Sequence, residues 1–227
     1  MIENNVELYT KLIPQEADLK MLSDMAEPFR RLMTYYRCAI MEVETKFRVL
    51  DVQLSLNSEN NPIESIKTRL KHPDSIITKA KRRGFPLTLD SIEKNMFDIA
   101  GVRVICSFPE DIYKLADCLL LQDDVTLIQR KDYIQTPKEN GYRSLHLIVE
   151  IPIFLEHEKR MMKVEVQLRT IAMDFWASLE HKLRYKKGID TMENYDQIAA
   201  KLKACADMSA LLDSQMEAIR NQIEGKL

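Results

Sequence analysis

The hydrophobic positions of the chain divide it into helical and extended stretches. From about residue 18 to Leu50, apolar side chains recur at steps of three and four residues, which is typical of an amphipathic helix. This stripe consists of Leu22, Ala26, Phe29, Met33, Tyr36, Ile40, Val43 and Phe47. Residues 51–62, rich in asparagine and serine, are expected to form a connection. Strand-like runs follow at 101–108, 125–131, 144–151 and 161–168, and a helical pattern occupies 109–121.

The interleaving of strands and helices predicts an α/β or α+β fold with a mixed sheet flanked by helices. A chain of 227 residues can bury one sizeable core. We therefore expect an N-terminal helical extension in residues 1–62, a core in residues 63–187, and a C-terminal helix for packing or oligomerisation in residues 188–227.

The last segment, residues 193–224, has an apolar seam that requires another helix against it. Its members alternate at steps of four and three: Ile198, Leu202, Cys205, Ser209, Leu212, Met216, Ile219 and Ile223. The seam fits either the N-terminal helices of the same chain or a subunit interface, and the two are compatible.

Three of the predicted strands have one apolar and one polar face, because side chains alternate along a strand. Arg103 lies on the polar face of the first strand, His146 on that of the third, and Glu165 and Gln167 on that of the last. If these strands share a sheet, the four side chains line one surface, which we predict to be the functional site. An ordinary solvent-facing sheet is the alternative.

A basic segment precedes these strands. In an extended conformation Lys67, Arg69 and Lys71 would share one face, and Pro73 then favours the start of a helix that carries Lys79 and Arg83. A row of cations followed by a helix N-terminus is suited to a polyphosphate. A solvated surface is the alternative explanation.

Two carboxylates, Asp98 and Glu165, lie at strand-forming runs and could hold Mg²⁺, which prefers one or two carboxylates together with phosphate and water. The five glycines of the chain cannot supply a P-loop or a G-x-G-x-x-G turn. These two classes of nucleotide-binding site are therefore excluded.

Composition adds limits on partners and location. The formal charge of −2 and the pI near 6.1 give no overall attraction to nucleic acid or to an anionic membrane. Four scattered cysteines without a C-x-x-C pair are typical of a reduced, cytoplasmic protein. No membrane-spanning run is expected.

Several ordered motifs resemble the RelA/SpoT-type alarmone synthetases, in particular the small, single-domain bacterial forms. They are RLK (69–71), SIITK (75–79), DIAGVRVIC (98–106), KENGYRSLH (138–146), VEVQLRT (164–170) and AMDFWASLEH (172–181). The resemblance covers about residues 65–187. It implies a nucleotidyltransferase-like fold and transfer of pyrophosphate from ATP to the 3′-hydroxyl of GDP or GTP, with release of AMP, in the stringent response.

The resemblance also implies roles for individual residues. Asp98 and Glu165 would be catalytic and would bind Mg²⁺, with Glu165 sharing the metal or activating the acceptor hydroxyl. The implied ATP-binding residues are Arg69, Lys71, Ser75, Lys79, Arg83 and Arg103, of which Arg69 and Arg103 would sandwich the adenine. The implied GDP- or GTP-binding residues are Lys138, Asn140, Tyr142, His146 and Gln167, with Tyr142 stacking on guanine.

A homotetramer is expected from the resemblance, and no histidine–aspartate hydrolase motif precedes the synthetase region, so we expect synthesis without hydrolysis. Two other functions stay open from the residues alone. The basic segment could bind RNA, and the fold could perform a nucleotidyl transfer that releases pyrophosphate. A regulatory contact with RNA or with the alarmone, and the choice between GDP and GTP, are also left open.

Overall fold

The computed structural model of the protein describes residues 26–57, 61–187 and 194–225. In chain order its elements are α1 (Ala26–Asn57), β1 (Ile63–Leu70), α2 (Pro73–Arg83), α3 (Leu89–Asn95), β2 (Ala100–Cys106), α4 (Pro109–Leu120), β3 (Thr126–Asp132), β4 (Leu145–Phe154), β5 (Lys159–Thr170), α5 (Ile171–Lys187) and α6 (Tyr195–Ile223). The predicted mixture of strands and helices is confirmed. Residues 18–25 of the predicted first helix lie outside the described residues.

The five strands form one mixed sheet in the order β1-β2-β5-β4-β3. β2 and β5 run parallel, whereas the other three neighbouring pairs are antiparallel. β5 follows the other four strands in the chain, yet it lies between β2 and β4 in the middle of the sheet. Residues that are far apart in sequence therefore become neighbours on the sheet surface.

One face of the sheet carries the hydrophobic core. Side chains such as Val104, Leu147 and Val166 are completely buried there, and α1 and α4 pack over this face. Most of the predicted stripe within the described residues is confirmed, since Phe29, Tyr36, Ile40, Val43 and Phe47 are buried; Leu32 and Ala39, which were not predicted, are buried beside them. Each fully buried large apolar side chain contributes about 1.5–3 kcal/mol, so this face supplies most of the fold's stability.

The first helix is longer than predicted, because residues 51–57 continue it. Leu50 and Leu54 extend the apolar stripe against the core, and the hydroxyl of Ser55 donates to the carbonyl of Asp51 at 2.7 Å. A serine in a helix interior can satisfy its hydroxyl on the preceding turn, so serine content alone was a misleading sign of a loop. Helix α3 has no counterpart among the predicted elements.

The predicted C-terminal helix is confirmed as α6, but much of its apolar seam is exposed. α6 packs on α5 and on α4, and its buried residues are Ala206 and Asp213. Four seam residues are about half exposed or more: Leu212, Met216, Ile219 and Ile223. These four residues are therefore not buried against the N-terminal helix. Within the described ranges, no helix has the length and apolar character needed to cross a membrane.

Candidate active site

A row of polar residues crosses the sheet on the face opposite the core. Lys67, Arg103, Gln167, His146 and Lys131 are successive pairing partners on β1, β2, β5, β4 and β3. Paired residues on neighbouring strands point to the same face. The predicted common surface of Arg103, His146 and Gln167 is confirmed by this register.

A second row lies on the same face, two residues away from the first row along each strand. Here Arg69 pairs with Gly101, Gly101 with Glu165, and Glu165 with Ile148. Glu165 therefore joins the same surface, as predicted. Because Arg69 and Arg103 are diagonal neighbours, their Cα atoms are about 7–8 Å apart, which leaves room for a flat ring between the two side chains.

Asp98, just before β2, lies between two lysines. Its Oδ2 accepts hydrogen bonds from Lys71 Nζ and Lys79 Nζ, each at 2.7 Å. Lys71 directly follows β1, and its backbone amide donates to the carbonyl of Ile99, which fixes it beside the entrance of β2. Burial opposes ionisation of Asp98, but the two lysines outweigh it and hold the pKa below its ordinary value. Asp98 is therefore a carboxylate at neutral pH.

The other oxygen of Asp98 indicates that a cation could bind. Asp98 Oδ1 is buried and has no hydrogen-bond partner within the protein. The charge of Asp98 also acts on the titration of Glu165, so the two carboxylates lie close enough to interact. Among the described residues, no group of three or more histidine, cysteine, aspartate or glutamate side chains could form a metal site. Within the described part of the chain, the site offers two carboxylates, Asp98 and Glu165, which suits Mg²⁺ completed by phosphate and water.

Hydrogen bonds join Glu165 to four other side chains in a closed ring. Arg169 donates to Tyr142 Oη at 2.7 Å, and Tyr142 Oη lies 2.7 Å from His146 Nε2. His146 Nδ1 lies 3.0 Å from Glu165 Oε1. Gln167 Nε2 donates to Glu165 Oε2, and Arg169 donates to Gln167 Oε1, each at 3.0 Å.

The chemistry of the ring assigns a direction to each bond. Arginine can only donate and an ionised carboxylate can only accept, so His146 donates from Nδ1 to Glu165, and Tyr142 Oη, which accepts from Arg169, can also donate to His146 Nε2. Burial opposes ionisation of Glu165, but the hydrogen bond and charge of His146 and the hydrogen bond of Gln167 lower the pKa of this carboxyl. Glu165 is thus an ionised, oriented potential base.

The loop of residues 138–143, which we call the acceptor loop, carries three of the predicted residues. Its turn is closed by the Gly141 amide, which donates to the Lys138 carbonyl at 2.8 Å, and by Asn140 Oδ1, which accepts from the Tyr142 amide at 3.2 Å. Lys138 Nζ lies 4.6 Å from the ring centre of Tyr133 and 4.7 Å from that of Tyr142. Burial lowers the pKa of Lys138. The loop therefore presents an aromatic face and a cation side by side.

The remaining predicted residues lie on α2. Ser75, Lys79 and Arg83 are spaced by four residues, so they share one side of this helix. Ser75 is in the first turn, where the helix begins after the extended residue His72 with a proline at its first position. Lys79 reaches Asp98 from this side. The structure thus places a helix N-terminus and two basic residues along one line beside the carboxylate.

A cluster around Asp174, at the start of α5, was not among the predicted site residues. Asp174 accepts from Lys67 Nζ at 3.1 Å, from Arg103 at 3.2 Å and from Arg169 at 3.1 Å. Burial opposes its ionisation, and these cations lower its pKa. Asp174 links the arginine of the first row to the hydrogen-bonded ring. Arg169 could have been found from sequence, because it continues the alternation through Glu165.

The chain was compared with known proteins. Residues 68–190 match the family model described as a region found in RelA / SpoT proteins. The chain is 41% identical over 203 residues to GTP pyrophosphokinase YwaC of Bacillus subtilis, with 89% of this chain and 95% of the relative covered.

Two crystal structures of the small alarmone synthetase 1 from Bacillus subtilis are also similar. The form bound to its product pppGpp has a TM-score of 0.80 and 34% identity, covering 87% of this chain and 99% of that one. The form bound to AMPCPP has a TM-score of 0.74 and 32% identity, covering 88% and 99%.

Proposed function

Because the chain belongs to the RelA/SpoT family, we propose that it is a GTP diphosphokinase that makes (p)ppGpp. The enzyme transfers the pyrophosphoryl group of ATP to the 3′-hydroxyl of GDP or GTP and releases AMP. The observation that carries this function is the polar sheet face. On it, Asp98, which is flanked by lysines, and Glu165, which belongs to the hydrogen-bonded ring, lie between a basic side and an aromatic side. The names and bound nucleotides of the relatives support the same activity.

The basic side is the proposed ATP site. Arg69 and Arg103 take the adenine between their guanidinium groups, which stack on flat bases and stay charged. The phosphates extend along the line of Lys71, Ser75, Lys79 and Arg83. Backbone amides at the start of α2 and its basic residues both favour an anion there. Phosphate binding would exchange some of the lysine contacts of Asp98 for contacts with the nucleotide.

We propose that Mg²⁺ binds through Asp98, using its unpartnered Oδ1, and through Glu165. When bound, the ion neutralises charge on the phosphate oxygens. The lysines beside Asp98 keep this carboxylate ionised and oriented without the ion. Removal of divalent ions with EDTA should abolish AMP formation and addition of Mg²⁺ should restore it; full activity in EDTA would contradict this metal requirement.

The aromatic side is the proposed acceptor site. Tyr142 stacks on guanine, while Lys138, Asn140, His146 and Gln167 surround the acceptor nucleotide. Glu165 takes the proton of the 3′-hydroxyl as its oxygen bonds to the β-phosphorus of ATP. The bond between that phosphorus and the oxygen that bridges the α- and β-phosphates breaks, and AMP leaves with this oxygen. Most of the rate acceleration comes from positioning and charge neutralisation.

We also propose that this chain makes the alarmone in the cytoplasm as part of the stringent response and does not hydrolyse it. None of its four histidines is followed by aspartate. Incubation of pure protein with ATP, Mg²⁺ and GDP or GTP should yield AMP and a guanosine 3′-pyrophosphate, resolved by chromatography. Release of pyrophosphate in place of AMP would overturn the proposed reaction, and steady breakdown of added ppGpp would overturn the claim of synthesis alone.

A homotetramer is the proposed assembly, with the exposed seam of α6 as one contact. A groove beside this seam is lined by residues of α4, α5 and α6, among them Phe175, Met208, Leu212 and Met216, all at least half exposed or nearly so. None of the proposed nucleotide-binding residues lines this groove. Contact between subunits through the groove would leave the polar sheet face open to substrates.

A further inference from the structure

The acceptor loop packs directly on α6, a helix that carries none of the proposed substrate-binding residues. Gly141 has a φ of +87° and approaches α6 so closely that a Cβ built on it would lie 2.6 Å from Cβ of Ala206. Atoms of Lys203, one turn earlier on α6, lie at 3.6 Å from the same point. Only glycine fits this turn, both for its backbone conformation and for the space left by the helix.

Arg143 joins the loop to the helix by hydrogen bonds. Its guanidinium donates to the carbonyl of Gly141 and to the carbonyl of Ala206, each at 3.3 Å, and to the carboxylate of Asp207 at 3.2 Å. A planar guanidinium with several donors fixes the relative position of these groups more firmly than a single bond would. The end of the acceptor loop is therefore tied to one turn of α6.

The aromatic residue of the loop packs into the same junction. Trp176 and Ala177 on α5 form a small buried cluster with Ala206, and Tyr142 packs against it. The indole of Trp176 donates to the carbonyl of Leu202 on α6 at 2.8 Å. The side chain of Tyr142 thus packs against residues of α5 and α6, while its hydroxyl forms hydrogen bonds on the polar sheet face.

We propose that α6 sets the position of the acceptor loop, and that Ala206, Asp207 and Arg143 are positioning residues for the guanine nucleotide. This inference rests on the proposed function, since it assigns guanine to Tyr142. The proposed ATP-binding residues lie on β1 or directly after it, on α2 and on β2, and none takes part in this junction. A change at the junction should therefore weaken the acceptor nucleotide and leave the affinity for ATP unchanged.

The first experiment replaces Ala206 with valine and uses Ala200→Val as the matched control. Both alanines are on α6, but Ala206 is buried against the loop and Ala200 is exposed. Ala206→Val should raise the KM for GDP or GTP by about tenfold to a hundredfold, because small misplacements of a binding group have effects of this size. The KM for ATP and the values of Ala200→Val should stay at wild-type levels.

A second experiment measures coupling between Arg143 and Asp207 in a double-mutant cycle of Arg143→Gln and Asp207→Asn. If the pair acts on the loop as one unit, the double variant should raise the guanine nucleotide KM by less than the product of the two single effects. Independent, multiplicative effects, or equal rises in the KM for ATP, would overturn the positioning role.

The third readout does not depend on turnover. Trp176 is the only tryptophan of the chain, and it lies in the junction. Titration with GDP should change its fluorescence in the wild-type protein, and Ala206→Val should shift the midpoint to higher GDP concentration. No fluorescence response to GDP, or the same midpoint in both proteins, would overturn the inference. A wild-type chain that responds to GDP but forms no AMP would overturn the proposed reaction alone.

Discussion

Replacement of Glu165 by glutamine distinguishes the proposed role of this residue as a base from its role in the hydrogen-bonded ring. In the ring, one oxygen of Glu165 accepts from His146 and the other from Gln167, so both oxygens face donors. A glutamine side chain keeps the shape but offers one acceptor and one donor, so one of the two bonds is lost. The variant removes the negative charge with little change in volume.

The variant should affect both kcat and the stability of the fold, and the two effects have different sizes. Loss of a general base lowers kcat by about a hundredfold to ten-thousandfold, or about 3–5 kcal/mol of barrier at 1.36 kcal/mol per tenfold. Loss of one hydrogen bond to a charged group costs about 1.5–3 kcal/mol of stability, and the removal of a buried charge offsets part of this. At about 2–4 °C per kcal/mol for a protein of this size, the melting temperature should fall by less than about 10 °C.

The assay is the rate of AMP formation at saturating ATP and GDP, with the melting temperature of the same sample. Glu150→Gln is the matched control, since Glu150 lies on β4, pairs with Lys163, and is half-buried. Because the pKa of Glu165 is below its ordinary value of 4.5, this carboxylate is ionised at neutral pH. Protonation of Glu165 should therefore lower the rate only below pH 4.5. A Glu165→Gln protein that stays folded and keeps more than about a tenth of the wild-type kcat would refute its role as a base.

Three further predictions test separate parts of the molecule. Tyr142→Ala should weaken binding of the guanine nucleotide by about 1–3 kcal/mol, measured as a higher KM, whereas Tyr142→Phe keeps the stack and should lower kcat by removing the hydroxyl bonded to His146; equal KM values in both would count against stacking. The lowered pKa of Asp98 means that its ion pairs stabilise the fold above pH 3.8 and that this contribution is lost as the pH falls below that value. In the Asp98→Asn variant the free energy of unfolding, measured with urea, should therefore decrease less steeply with falling pH; the same slope as in the wild type would contradict this. Leu212→Asp should reduce the assembly seen by light scattering, while Leu211→Asp, similarly exposed but outside the groove, should not; a tetramer in both would exclude this contact.

The parts of the site that follow a local rule could be predicted from sequence. His146, Glu165 and Gln167 alternate with buried residues along their strands, so their shared face followed from the period of two and the sheet register confirmed it. Arg169 obeys the same rule but lies just beyond the predicted end of its strand, which in fact runs to Thr170.

Other features depend on how distant elements meet, which no local pattern encodes. Asp174 looks like one more acid on a helix, and only the packing of α5 beside the sheet brings three cations to it. The contact between Gly141 and Ala206 joins residues 65 positions apart, and alanine carries no chemical signal of such a role. The helix end at Asn57 was missed because asparagine and serine are used in helices as well as loops when a leucine stripe continues beneath them.

The central position of β5 also governs when the polar sheet face can come into existence. During synthesis, β1 can pair with β2 and β3 with β4 before residues 159–170 have been made, but β2 and β4 both lack a neighbour until β5 arrives. Long-range and parallel pairings are slow steps in folding, because the loop between them must close first. A nascent or truncated chain that ends before β5 would therefore carry two additional open strand edges, on β2 and β4, and neither Glu165 nor Gln167, so prematurely terminated products should be inactive and prone to aggregate.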